Sequence, residues 1–95
     1  MIRWTDEALG DIEQAVDWLA ARSPAAAGRM IGLVFEAVER LSEVDLDGPE
    51  DQLLDGRWVR SWPVPPMRVY YERRGGDLWV LQVTDQRRHI APVRS

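Results

Sequence analysis

The side chains best suited to chemistry in this 95-residue chain lie in its last third: Arg68, and then Arg87, Arg88 and His89 in a row. His89 is the only histidine, and imidazole is the side chain whose unperturbed pKa falls near neutrality, so any proton transfer at neutral pH points to it. The arginines are permanent cations whose planar fork suits carboxylates and phosphates. The chain has no lysine and no cysteine; all 12 of its basic side chains are arginines. Disulfides and thiolate metal sites are therefore excluded. One histidine and scattered carboxylates do not make a metal site, and neither a metal nor another cofactor is expected.

Charge is divided unevenly along the chain. The formal net charge of −4 averages residues 1–56, with 4 arginines and 13 acids (net −9), and residues 57–95, with 8 arginines and 3 acids (net +5). An acidic average thus leaves a nucleic-acid or nucleoprotein target open to the basic half.

The elements that must carry these residues follow from spacing. Ile2-Arg3-Trp4 reads as a short strand, and Thr5 or Asp6 offers an N-cap. Ala8, Leu9, Ile12, Ala15, Val16 and Leu19 then recur at helical spacing. Ser23-Pro24 starts a second helix with the stripe Ala27, Met30, Ile31, Val34, Val38 and Leu41, antiparallel to the first. The acidic stretch from Glu43 to Gly56 has no period and reads as a loop. Trp58–Val64, Met67–Arg73 and Leu78–Val83 read as strands, the last two joined by a hairpin at Arg74-Gly75-Gly76-Asp77. A three-residue loop there groups Val69, Tyr71, Trp79, Leu81 and Val83 on the packed face. Arg68, Tyr70, Glu72, Val80 and Gln82 then lie on the open one. Trp58 and Trp62 share a strand face, with one of them expected in the core. Asp11, beside the first apolar stripe, reads as a paired structural acid.

A chain of this length makes one domain, residues 1–95, burying roughly 60–65% of the surface exposed on unfolding. Its apolar runs are far shorter than the ~20 residues of a membrane span, and Met1-Ile2-Arg3-Trp4 lacks a signal-peptide core; the chain reads as cytoplasmic.

The run Ala8-x-x-Asp11-Ile12-x-x-Ala15-x-x-Trp18-Leu19, followed by Ser23-Pro24-x-Ala26-Ala27-x-Arg29-x-Ile31 and then Ala37 and Leu41, resembles the helical hairpin of the ParE/RelE superfamily of toxins. Gly56-Arg57-Trp58-Val59, Pro65-Pro66-Met67-Arg68-Val69-Tyr70-Tyr71, the Gly75-Gly76 hairpin and Val83-x-x-x-Arg87-Arg88 are similar to its sheet. The likeness covers nearly the whole chain. It implies an α+β fold: a short N-terminal strand and an antiparallel two-helix hairpin packed on a three- to four-stranded, mainly antiparallel sheet. It also implies the toxin of a type II toxin–antitoxin module of the plasmid-stabilisation kind, bound by a cognate antitoxin in complexes up to a heterotetramer or larger.

Two activities share that fold, so the site must choose between them. ParE-like members inhibit DNA gyrase without known nuclease chemistry. RelE-like members cleave messenger RNA on the ribosome, and in such a nuclease Arg68 occupies a functional arginine position. His89 would then act as base or acid, with Arg68 and Arg87 clamping the phosphate and Tyr70 or Tyr71 stacking on a base. The lysines that serve catalysis in some RelE-like members have no counterpart in this lysine-free chain. The gyrase-directed branch is therefore preferred, with the nuclease and a nontoxic regulatory member as alternatives. Arg60, Arg68, Tyr70, Arg87 and Arg88 are the residues expected to bind a target or the antitoxin.

Overall fold

Local signals place both helices. Thr5 is extended, and its hydroxyl accepts the Ala8 N–H at 3.1 Å, capping α1 (Asp6–Ala20), whose first turn carries Asp6 and Glu7 against the helix dipole. Ser23 caps α2 (Pro24–Glu43) in the same way through the Ala26 N–H at 3.2 Å, and Pro24 stands where no backbone donor is needed. The computed structural model describes residues 1–44, 46–53 and 55–86. It adds β1 (Ile2–Trp4), β2 (Glu50–Gln52), β3 (Trp58–Val64), β4 (Met67–Arg74) and β5 (Asp77–Asp85).

These strands form one sheet in the order β1-β5-β4-β3-β2, with β1 parallel to β5 and the other pairs antiparallel. The sheet is thus mixed and five-stranded, rather than three- or four-stranded. The extra strand is β2, inside the stretch expected to be a loop. Glu50-Asp51-Gln52 is too short and too polar to show a period, and only its pairing with β3 defines it.

The helical hairpin covers one face. Ala8, Ile12 and Ala15 of α1 and Met30, Val34, Val38 and Leu41 of α2 pack with Val64, Met67, Val69, Tyr71, Leu78, Val80 and Val83 of the sheet. Leu9 falls outside that contact and stays exposed. Trp62 packs against this core while Trp58 is 63% exposed, which settles the division between the two tryptophans.

The β4–β5 register differs from the expected one. Arg74 pairs with Asp77 across a two-residue turn, Gly75-Gly76, both with positive φ as such a turn requires. A bulge between Tyr70 and Tyr71 then shifts the phase, so that Tyr71 meets Val80 and Tyr70 meets Gln82. Leu78 and Val80 consequently join the helix side, and Trp79 and Leu81 the other. The expected placement of Val69, Tyr71 and Val83 holds.

Where β1 stops, α1 takes over as neighbour of β5. The Thr5 N–H donates to the Val80 carbonyl at 3.1 Å and its hydroxyl to the Leu81 carbonyl at 3.0 Å. Further along, the buried Asp11 carboxylate accepts the Val83 N–H at 2.9 Å. A side chain here replaces a missing strand. Asp11→Ala leaves that buried donor unmet and is expected to cost at least about 1–3 kcal/mol. The cost would appear as a lower urea midpoint at unchanged slope; an unmoved midpoint would contradict this role.

Candidate binding site on the open sheet face

The face away from the helices carries its own small apolar cluster: Leu53, Val59, Tyr70 and Leu81, with Trp79 at its margin. Arg68 lies on this face, as expected from the alternation of β4, between Pro63 of β3 and Thr84 of β5. Its Nη1 donates to the hydroxyl of buried Ser61 at 2.7 Å, which fixes the half-buried guanidinium. No carboxylate of the described residues lies within ion-pair distance of it. Glu72, a natural partner two residues along the strand, is held instead by Arg57 and Arg74. Arg74 also lies over the Trp79 ring.

Beside Arg68 is a groove of about 260 Å³ lined by Pro63, Pro65, Pro66, Met67, Arg68 and Gln86. The cis Pro65-Pro66 step forms the turn between β3 and β4. Its polar rim is largely occupied. The Gln86 N–H donates to the Pro66 carbonyl at 2.9 Å, and the Gln86 side-chain amide to Thr84 Oγ1 at 3.2 Å. Sequence reasoning missed Ser61, the prolines and Gln86 as parts of this site. Alternation in β3 could have found Ser61 and Pro63, but only with the β3–β4 register known.

The expected binding residues do not form one patch. Arg60 pairs with Tyr71 across the β3–β4 ladder and so lies on the helix side, opposite Arg68. It donates to the Gly48 carbonyl at 3.2 Å and helps tie down the segment before β2. Tyr70 shares the face of Arg68, but it is only 6% exposed within the Leu53 cluster, which leaves little of its ring for stacking. Arg87, Arg88 and His89 lie outside the described residues.

On the helix side, Arg60 belongs to a latch. The Tyr71 hydroxyl accepts the Gly48 N–H at 2.9 Å and donates to Asp47 at 3.4 Å. Arg73 pairs with Asp47 at 2.9 Å and donates to the Leu46 carbonyl at 3.1 Å. The acidic stretch is therefore partly bound to the sheet, not simply solvated. Burial raises the Tyr71 phenol above its ordinary value, reinforced by the Asp47 carboxylate and opposed by the Gly48 N–H bond. The folded state thus favours the neutral phenol. Its contribution is complete below about pH 10, the unfolded value, and is lost as pH rises through the raised one. Melting temperature is expected to fall above about pH 10 in the wild type and less steeply in Tyr71→Phe, because no lysine titrates in that range. Equal slopes would contradict the latch.

Comparison with known proteins identifies the family. The model of a family described as ParE toxin of type II toxin-antitoxin system, parDE, matches residues 2–90. The chain belongs to that family of toxins. A solved structure described as the chromosomal ParDE toxin–antitoxin system from P. aeruginosa contains a chain with a similar fold. The TM-score is 0.72 at 19% identity, over 88% of this chain and 92% of that one. Curated proteins give no match. No helix of the described residues is long and apolar enough to cross a membrane.

Proposed function

We propose that this chain acts in the cytoplasm by poisoning DNA gyrase, and that it arrests growth until a cognate antitoxin covers it. The observation that carries the choice of activity is the make-up of the Arg68 groove. Cutting RNA through its 2′-hydroxyl requires an acid and a base beside the cation that steadies the phosphate. Among the described residues, the six that line the groove include no carboxylate or histidine, and the whole chain has no lysine. A fixed guanidinium among prolines is equipped to bind an anion, not to move protons. Arg87 and Arg88 are assigned to the same work of contacting gyrase or antitoxin.

Exposed apolar side chains support a protein partner. Leu33 and Phe35 of α2 and Trp58 of β3 all remain in contact with solvent. Induced expression in a bacterial host is expected to stop growth, and co-expression of a cognate antitoxin to restore growth. Normal growth while folded protein accumulates would overturn the proposal.

A further inference from the structure

We infer that the groove at the Pro65-Pro66 turn seats an acidic side chain flanked by an apolar one, carried on an extended segment of the antitoxin. This rests on the toxin–antitoxin reading and adds the chemistry by which the partner is held.

Arg68 supplies the charge complementarity. A guanidinium has five donors, and among the described residues one bond to Ser61 is the only one it makes. That bond orients the fork, so little side-chain freedom remains to be lost when an anion arrives. The donors left over on this half-buried cation face water, and a carboxylate from outside replaces that water with charge-assisted hydrogen bonds. Two neighbouring polar side chains are already engaged within the chain. Gln86 is bonded to Pro66 and Thr84, and Ser61 to Arg68. One unfilled cationic position thus stands beside an apolar wall of Pro63, Pro65 and Pro66. A carboxylate fits the first and the neighbouring apolar side chain of the same segment fits the second.

The surroundings favour a peptide over a nucleic acid. A polynucleotide presents a phosphate about every 3.4 Å along each strand and draws its affinity from several cations at once. On this face Arg57 and Arg74 are both committed to Glu72. Arg60 is on the opposite side of the sheet, bound to Gly48. Among the described residues, Arg68 is the one guanidinium on this face without a carboxylate, and in an apolar groove it matches a single carboxylate.

The test is an NMR titration of the full chain, following the Arg68 Nε–H and the backbone amides of Met67 and Gln86. The probes are acetyl-Leu-Glu-Leu-amide, its Gln isostere and hexauridylate. The Glu peptide is expected to shift these signals saturably, with the Gln isostere at least about tenfold weaker. Arg68→Lys, which keeps the charge but lacks the fork, is expected to bind with intermediate strength, and Arg68→Met not at all. Circular dichroism checks that both variants remain folded. Equal binding of the two peptides overturns the inference, as does wild-type affinity in Arg68→Met. Hexauridylate moving the same signals at lower concentration than the Glu peptide would overturn it in favour of a nucleic-acid seat. The toxin reading fails separately, if induced wild-type protein leaves growth unchanged; the titration still decides the chemistry of the groove.

Discussion

Replacing Gly48 by alanine is expected to lower stability by about 3 kcal/mol, the upper end for overpacking a well-filled site. A Cβ on Gly48 would stand 1.9 Å from the Ser61 carbonyl oxygen and 3.1 Å from the Trp62 ring. The first obstacle is backbone. Ser61 lies within β3, paired with Tyr70 of β4, and its N–H donates to the Pro49 carbonyl at 3.1 Å, so it cannot retreat without disturbing the ladder. Gly48 cannot move away easily either, because Tyr71 holds its N–H and Arg60 its carbonyl. For a domain of this size the loss amounts to roughly 12–24 °C in melting temperature. A shift of only a few degrees would show that the segment between α2 and β2 yields freely, and would contradict the latch.

Leu41→Ala is expected to cost a similar amount, about 3 kcal/mol, through lost burial and the cavity left behind. Leu41 is 2% exposed near the end of α2, inside the cluster between helices and sheet. Leu33→Ala is its control on the same helix. Leu33 is 50% exposed, so the identical chemical change there should stay within about 0.5 kcal/mol. Alanine is the better helix former of the two, so helix propensity alone would raise stability at both positions. Only packing separates them. Equal effects in chemical denaturation would contradict the assignment of the apolar stripe.

The difference between these leucines shows where the sequence was legible. Helix starts were readable because capping is local: Thr5 and Ser23 act within three residues of themselves. The stripe of α2 was readable because five of its six expected residues repeat at the helical period and are buried. β2 was not readable, since three polar residues acquire strand geometry only from their partner. The placement of Trp79, Val80 and Leu81 failed because a bulge next to Tyr70 changes the phase of β5, and no residue type announces that bulge. Asp11 was readable as a paired acid, although its partner, a β5 amide, lies 72 residues away.

The site followed the same rule. Arg68 was correctly placed on the open face because strand alternation is local. Its partner was not, because Ser61 becomes its neighbour only through β3–β4 pairing; Glu72, nearer in sequence, is taken by other arginines. Arg60 lies elsewhere. As an arginine in the basic half it resembled a second binding residue, but its register with Tyr71 sends it to the helix side, where it serves the latch.

The central claim, a gyrase-directed toxin rather than a nuclease, is tested most directly by DNA supercoiling with purified gyrase and purified toxin. The predicted result is loss of supercoiling with increasing toxin and its recovery on adding the antitoxin, while messenger RNA in a parallel translation reaction stays intact. Full supercoiling at saturating toxin, together with ribosome-dependent cuts in the messenger that disappear in His89→Ala, would contradict it.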